Sequence, residues 1–205
     1  MAWTKARYDG ARTNVIYNYS MKKSLSIVAI VLVVAVAGFL LWQGGVTPGT
    51  DGIPAGMLRY SSEEGVSFLY PDTYELSSRT DGNGERSWDV LVLLPKGYVP
   101  PQNGEGPPAI SVSVFSNVEG YPLETWIKGD AKSNWKLAAP DATLKNTTVG
   151  GEPALAYRYS GLYETNAVAV ARGGRLFLFE VGWLAPGDRI VRDFQNLLDT
   201  VEFTL

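Results

Sequence analysis

The amino-acid sequence predicts an α+β fold, in which an antiparallel β-sheet of about six or seven strands is flanked by two helices and preceded by one transmembrane helix. Short runs rich in β-branched and aromatic residues alternate with glycine pairs, two helix-compatible stretches follow prolines, and one long apolar segment carries no charge. The predicted parts are a short cytoplasmic N-terminal segment, a transmembrane helix, a Gly/Pro-rich linker and an extracytoplasmic α+β domain, at residues 1–23, 24–42, 43–56 and 57–205.

The apolar segment has the length and composition of a membrane span. No charged residue lies between Lys23 and Asp51, and the run from Leu25 to Trp42 contains twelve Leu, Ile, Val or Phe residues. At a rise of 1.5 Å per residue, these 18 residues would form a helix about 27 Å long, close to the hydrocarbon thickness of a bilayer. Ser26 is the sole polar side chain before Trp42, so the segment lacks the polar face of a soluble helix. We therefore expect residues 24–42 to bind the lipid bilayer.

Flanking charges predict the orientation of this helix. Lys22 and Lys23 abut it on the N-terminal side, whereas residues 43–50 carry no charge. Because positively charged flanks tend to remain in the cytoplasm, the N-terminus is predicted to be cytoplasmic and the C-terminal domain extracytoplasmic. Trp42 lies where an amphipathic ring favours the outer interface. The predicted membrane-anchor residues of this single-pass cell-membrane protein are Lys22, Lys23 and Trp42.

A cleaved signal peptide is the competing interpretation of the same segment. Met21-Lys22-Lys23 before an apolar run has the composition of a signal peptide, and Ala35-Val36-Ala37 resembles a cleavage site. That triplet lies inside the apolar run, before Phe39, whereas a peptidase needs a site nearer the polar boundary. The sequence leaves open whether the segment is cleaved and whether Met1 or Met21 is the native start.

Composition excludes several classes of function. The first 42 residues carry a net charge of +4 and the remainder a net charge of −7, the wrong sign for a surface that neutralises phosphates, so nucleic acid is not a predicted partner. The chain contains no cysteine and no histidine, which excludes Ser-His-Asp and Cys-His catalysis and zinc sites of the Cys/His type. We predict no cofactor and no metal.

The first half of the outer domain reads as strands followed by one helix. Residues 65–70 form a strand-like run that stops at Pro71-Asp72 and resumes over residues 74–77, which predicts a single strand with a bend. Residues 88–94 and 109–115 are two more strand-like runs. Pro122 then begins a helix-compatible stretch that Gly129 weakens.

The second half reads as a meander, a helix and a closing strand. Four strand-like runs, separated mainly by Gly150-Gly151 and Gly173-Gly174, occupy residues 143–149, 154–159, 166–172 and 175–183. Pro186 to Asp188 then introduce a helix with one apolar stripe, formed by Ile190, Val191, Phe194, Leu197 and Leu198. Residues 201–205 alternate as a final strand.

Two segments carry a resemblance to a known family. The run from Glu64 to Pro71, Glu-Gly-Val-Ser-Phe-Leu-Tyr-Pro, is similar to that family's opening strand, and the run from Ile190 to Phe203 is similar to its final helix and short strand. The family is that of the photosystem oxygen-evolving-complex P subunit and the Mog1 nuclear-transport factor (PsbP-like or Mog1-like). The resemblance covers residues 57–205 and implies an antiparallel sheet between helices, a scaffold of anchored bacterial proteins. Tyr74 stands where many relatives have Trp, and no photosystem-docking segment is evident.

Motifs that carry chemistry are weak. Asp81 to Glu85 place oxygen atoms at alternate positions, as a calcium loop does, but the sixth position is Arg86 and the twelfth is Val92, so we predict a surface turn. Glu63-Glu64 and Asp188-Arg189 are candidate acid/base groups that more simply read as solvated side chains. Ser-Lys catalysis is formally possible with one of three lysines, although the chain contains no Gly-x-Ser-x-Gly elbow; these are Lys128, Lys132 and Lys136.

Two features suit binding better than catalysis. Residues 96–108, rich in proline and glycine, are too long for an ordinary hairpin and read either as a recognition loop or as a tolerated insertion. Four tryptophans of the outer domain either expose aromatic surface or fill the core; they are Trp88, Trp126, Trp135 and Trp183. We expect a membrane-anchored, extracytoplasmic interaction or ligand-binding module without catalytic machinery, with a protein or small-molecule partner. The alternatives are a hydrolase that uses carboxylates or a Ser-Lys pair, and a soluble domain released by signal-peptide cleavage.

Overall fold

The computed structural model describes residues 52–82, 87–99 and 106–204, all of which belong to the compact unit Leu41–Leu205. The predicted transmembrane helix, with Lys22, Lys23 and Trp42, lies outside the described residues. Residues 83–86 of the candidate calcium loop also lie outside them. Within the described ranges, neither helix is long and apolar enough to cross a membrane.

Ten strands and two helices, numbered in chain order, make up this part of the chain. The strands are β1 (Met57–Ser61), β2 (Val66–Pro71), β3 (Tyr74–Gly82), β4 (Ser87–Pro95), β5 (Ile110–Ser116), β6 (Lys145–Val149), β7 (Glu152–Ser160), β8 (Glu164–Arg172), β9 (Arg175–Trp183) and β10 (Glu202–Phe203). The helices are α1 (Leu123–Gly129) and α2 (Arg189–Asp199), and two 3₁₀ turns follow α1 at Ala131–Ser133 and Trp135–Leu137.

Seven strands form one antiparallel sheet in the order β3-β4-β5-β9-β8-β7-β6, which confirms the predicted α+β class, sheet size and number of helices. The glycine pairs close two of its hairpins. Gly150 and Gly151 have φ values of 56° and 80°, and Gly173 and Gly174 have values of 59° and 71°. Because tight two-residue hairpins need positive φ at both central positions, these glycines fix the register of β6 with β7 and of β8 with β9.

A second sheet of three strands, in the order β1-β2-β10, corrects one prediction. The segment predicted as one bent strand is two strands that belong to different sheets, since β2 lies in the small sheet and β3 at the edge of the large one. Pro71 lacks the N–H that would continue a ladder, and the chain changes sheets through Asp72 and Thr73. The predicted closing strand also joins the small sheet, where Glu202 pairs with Ser67.

Side chains of the large sheet point alternately into two hydrophobic clusters. In β9, Phe177 and Phe179 pack into the larger cluster, against β2 and α2, whereas Leu176 and Leu178 pack into the smaller one, beneath α1. Since both faces are covered, β9 reads as a nearly continuous apolar run. The fold is therefore a sandwich of three layers, with the large sheet in the middle.

Helix α2 follows the predicted stripe with one addition. Ile190, Phe194 and Leu197 are buried as expected, and Asp193 is buried beside them. The Tyr74 hydroxyl donates a hydrogen bond of 2.8 Å to Asp193 Oδ2, and Arg189 Nε lies 3.3 Å from the same oxygen. A hydrogen bond to a charged group contributes about 1.5–3 kcal/mol, so this contact helps to join α2 to the edge of the large sheet.

Candidate functional site

Three of the candidate acid/base and Ser-Lys residues, Glu64, Asp188 and Lys128, have separate partners. Glu64 forms an ion pair with Arg175, and the Asp188 carboxylate accepts hydrogen bonds from two backbone N–H groups, of Leu184 and Ala185, ahead of α2. Lys128 pairs with Glu124 one helical turn away. These contacts assign the residues to ion pairs and a loop rather than to one site.

The four tryptophans divide between core and surface. Trp126 and Trp183 are buried, with 5% and 4% of their surface exposed. Trp135 is partly exposed and packs edge-on against Tyr157, with ring centroids 5.6 Å apart. Trp88, near the start of β4, is also partly exposed, and it borders a surface cleft.

The cleft beside Trp88, here called the tryptophan cleft, has a volume of about 540 Å³. It lies at the end of the large sheet that contains the Gly173-Gly174 hairpin, and the β1–β2 loop contributes to its wall. Its lining combines aromatic, apolar, glycine and charged residues, which are Glu64, Ser87, Trp88, Asp89, Val114, Phe115, Ser116, Val118, Gly173, Gly174 and Arg175.

Charges of both signs border the aromatic surface of this cleft. The Lys132 ammonium lies 4.0 Å from the centroid of the Trp88 ring, close enough for a cation–π interaction. Arg175 pairs with Glu64, and Asp89 accepts a hydrogen bond of 2.7 Å from Thr80 on the neighbouring strand. Partnered charges around a partly exposed indole suit the binding of an amphipathic group.

A second polar group of note is Glu180, in the middle of β9. Its partly buried carboxylate accepts a hydrogen bond of 2.8 Å from the Tyr159 hydroxyl, which in turn accepts one of 3.2 Å from Asn134 Nδ2. Burial raises the pKa of Glu180 to about 7, against the opposing effect of the hydrogen bond from Tyr159. Burial thus favours the protonated form of this carboxyl at a higher pH than in an exposed glutamate.

Backbone geometry positions the donor to this network. Asn134 joins the two 3₁₀ turns and has a φ of 57°. Among the residues that the structure describes, it is the single non-glycine residue with a positive φ. Asparagine tolerates this left-handed conformation better than most side chains. The sequence reasoning did not identify Glu180, although an acid within the apolar run of β9 is a signal that could have found it.

A larger and more polar cleft, of about 600 Å³, lies between the β6–β7 hairpin and the end of α2. Two carboxylates, of Asp199 and Glu202, line it. Asp199 accepts a hydrogen bond of 3.0 Å from Gln195, and Glu202 forms a 3.0 Å ion pair with Arg59. Each carboxylate therefore already has a partner.

The solved structures that are similar to this chain include the following two. The solution structure of cyanobacterial PsbP (CyanoP) from Synechocystis sp. PCC 6803 is 17% identical, with a TM-score of 0.49, over 77% of this chain and 98% of that one. A crystal structure from Bacteroides thetaiotaomicron VPI-5482 is 12% identical, with a TM-score of 0.46, over 72% of this chain; the matched part spans about half, 48%, of that protein. No family model and no curated protein matches the chain. One of these two structures is named for PsbP, the family that the two sequence segments resemble.

Proposed function

We propose that the protein is a membrane-anchored, extracytoplasmic binding module without catalytic machinery, and that the tryptophan cleft holds its ligand or partner. The observation that carries this proposal is the partly exposed Trp88 at the cleft, with the Lys132 ammonium 4.0 Å from its ring. Tryptophan is enriched where binding energy concentrates, because it contributes a large apolar area and one hydrogen-bond donor.

The partners of the charged groups support binding rather than hydrolysis. A carboxylate pair that performs acid/base chemistry needs two groups that face one reacting atom. In the tryptophan cleft, Glu64 is engaged with Arg175 and Asp89 with Thr80. Glu180, the carboxyl with a pKa near neutrality, is not among the residues that line either cleft described above.

The anchoring part of the proposal rests on the sequence. The uncharged run over residues 25–42 is long enough to span a bilayer, and Lys22-Lys23 on its N-terminal side favour a cytoplasmic N-terminus. The acidic domain would then face the exterior or the periplasm, where the absence of cysteine is compatible with stability because its two apolar clusters form a core without disulfides.

The test is crosslinked capture from native membranes with the full-length chain and two variants. We expect Trp88→Ala to lose a stoichiometric partner that the wild type retains. Trp135→Ala makes the same change at another partly exposed tryptophan, away from the cleft, and is expected to retain the partner. Circular dichroism of both variants verifies folding. Equal capture by Trp88→Ala and the wild type would exclude the cleft as the binding site.

The Glu180–Tyr159 contact favours a second candidate function, the carboxylate hydrolase. A raised pKa suits a carboxyl for general acid or base catalysis near neutral pH, although Glu180 lines neither cleft described above. A screen of the wild type against ester, amide and glycoside substrates, with Glu180→Gln as control, tests this candidate. Activity that the variant lacks would support the hydrolase and count against a purely binding role.

A further inference from the structure

Exposed apolar side chains concentrate at one end of the large sheet. Within the described residues, seven large hydrophobic side chains are exposed, and four of them lie where β4 and β9 end and where β8 begins; these are Tyr98, Val99, Leu162 and Leu184. A fifth, Leu137, lies beside the β7–β8 turn, since its Cδ1 would be 3.8 Å from a Cβ at Gly161. Val99, Leu184 and Leu162 are 82%, 73% and 59% exposed. The remaining two, Val118 and Tyr121, follow β5 at the opposite end, where Val118 lines the tryptophan cleft.

The linker enters the domain at the same end. Gly56, the last linker residue, accepts a 2.8 Å hydrogen bond from the backbone N–H of Asp72. The carbonyl of the next residue, Thr73, accepts one of 2.8 Å from Lys96, two residues before Tyr98. This end of the sheet, defined by Gly56, Val99, Leu162 and Leu184, is called the tether end.

Hydrogen bonds order the backbone of the two loops that carry Leu184 and Leu162. The N–H groups of Leu184 and Ala185 both donate to Asp188 Oδ2 at 2.9 Å. Beside Leu162, the N–H of Gly161 donates to the Tyr163 carbonyl at 3.0 Å, and the Tyr163 hydroxyl donates to the Gly106 carbonyl. Loops fixed in this way present their aliphatic side chains to the surroundings without a further cost of ordering.

The length of the linker limits the distance between the tether end and the proposed anchor. Nine residues lie between Trp42 and Gly52, so even a fully extended chain spans at most about 33–36 Å between them. A surface attached over such a short distance meets the bilayer at a high effective concentration, so a few aliphatic side chains are enough to hold it there.

We propose that the tether end docks on the bilayer, with Val99, Leu162 and Leu184 inserted into the interfacial region of the lipid. This inference rests on the membrane anchor proposed above and deepens it. Docking directs the Gly173-Gly174 end, and with it the tryptophan cleft, away from the membrane toward a soluble partner. The occupant of the apolar surface is lipid, since the linker delivers this end to a bilayer before any other partner.

The absence of cysteine makes the test direct, because a single introduced cysteine is the sole labelling site. Full-length Val99→Cys and Val118→Cys are each labelled with an environment-sensitive fluorophore and reconstituted into phosphatidylcholine–phosphatidylglycerol vesicles that contain brominated lipid. The two valines are equally exposed, at 82%, and lie at opposite ends of the sheet, so each is a matched control for the other.

We expect a blue shift and strong quenching of the label at position 99 and neither at position 118. Equal quenching at both positions, or at neither, would overturn the docking. Self-quenching at position 99 that does not depend on lipid bromination would indicate a second copy of the chain as the occupant, and would overturn it as well.

Flotation with vesicles and resistance to alkaline extraction test the anchor independently of the label. A chain that remains with the lipid but shows no quenching at position 99 contradicts the docking and leaves the anchor intact. A chain that is extracted contradicts the anchor, and the docking with it.

Discussion

Replacement of Glu180 by Gln is expected to stabilise the domain above neutral pH. Burial raises the pKa of this carboxyl from its ordinary value of 4.5 to about 7. Below pH 4.5 the carboxyl is protonated in both the folded and the unfolded state, and the raised pKa has no effect on stability. As the pH rises past 4.5, the unfolded chain releases its proton while the folded chain retains it, so the free energy of unfolding falls until the pH exceeds 7.

The size of this fall follows from the same pKa values. The rise of the Glu180 pKa from 4.5 to about 7 lowers the free energy of unfolding by about 3 kcal/mol at high pH, because each pKa unit is worth about 1.4 kcal/mol. Glutamine carries no charge to desolvate, and its carbonyl oxygen can accept the hydrogen bond from Tyr159. The difference in free energy of unfolding between Glu180→Gln and the wild type should therefore be larger at pH 8 than at pH 4, by up to about 3 kcal/mol in favour of the variant.

Urea unfolding of residues 52–205 between pH 4 and pH 8, followed by tryptophan fluorescence, measures the difference. Glu164→Gln is the control, since Glu164 is partly exposed and its hydrogen bond with Arg158 lowers its pKa. Its contribution is present above the ordinary pKa and declines as the pH falls, so the pH trend has the opposite sign. A stability difference between Glu180→Gln and the wild type that stays constant across this pH range would refute the reasoning.

Three further predictions concern packing, a hairpin and the N-terminus. Tyr74→Phe removes the hydroxyl that donates to buried Asp193 and should cost about 1–3 kcal/mol in urea unfolding, with an m-value like that of the wild type if the fold is kept. Gly150→Ala should lower the free energy of unfolding by more than about 1 kcal/mol, because a Cβ there would lie 2.7 Å from the Phe203 ring of β10. Gly151→Ala is the control, since its backbone also has positive φ but a Cβ there would meet no atom within 4 Å. An equal decrease in melting temperature for both variants would argue against the clash. Intact mass of the protein from native membranes should include the whole apolar segment, and a mass that begins after Ala37 would establish cleavage.

Local patterns predicted the large sheet because its strands are joined mostly by short connections. In the β8–β9 hairpin, for example, a glycine pair separates two apolar runs, and the ladder pairs Arg172 with Arg175. The amphipathic stripe of α2 was readable for the same reason, since Ile190 and Phe194 recur with helical spacing.

The small sheet could not be predicted in the same way. Strand β2 pairs with β10, so that Ser67 meets Glu202 across more than a hundred residues, and no local pattern encodes that choice. The contact between Tyr74 and Asp193 likewise joins distant segments. The raised pKa of Glu180 depends on burial beneath the 3₁₀ turns, which sequence spacing does not reveal. The anchor residues Lys22, Lys23 and Trp42 stay predictions.

The pairing of β2 with β10 also limits the order in which the strands can assemble during translation. Residues Val66 to Tyr70 are all buried in the finished domain, with the last partner strand supplied by residues 202–203. Until residue 203 has left the ribosome, strand β2 of the growing chain is an apolar strand with one unpaired edge. The small sheet therefore cannot be completed during synthesis, and until then the pairing of β1 with β2 is the part of it that can form.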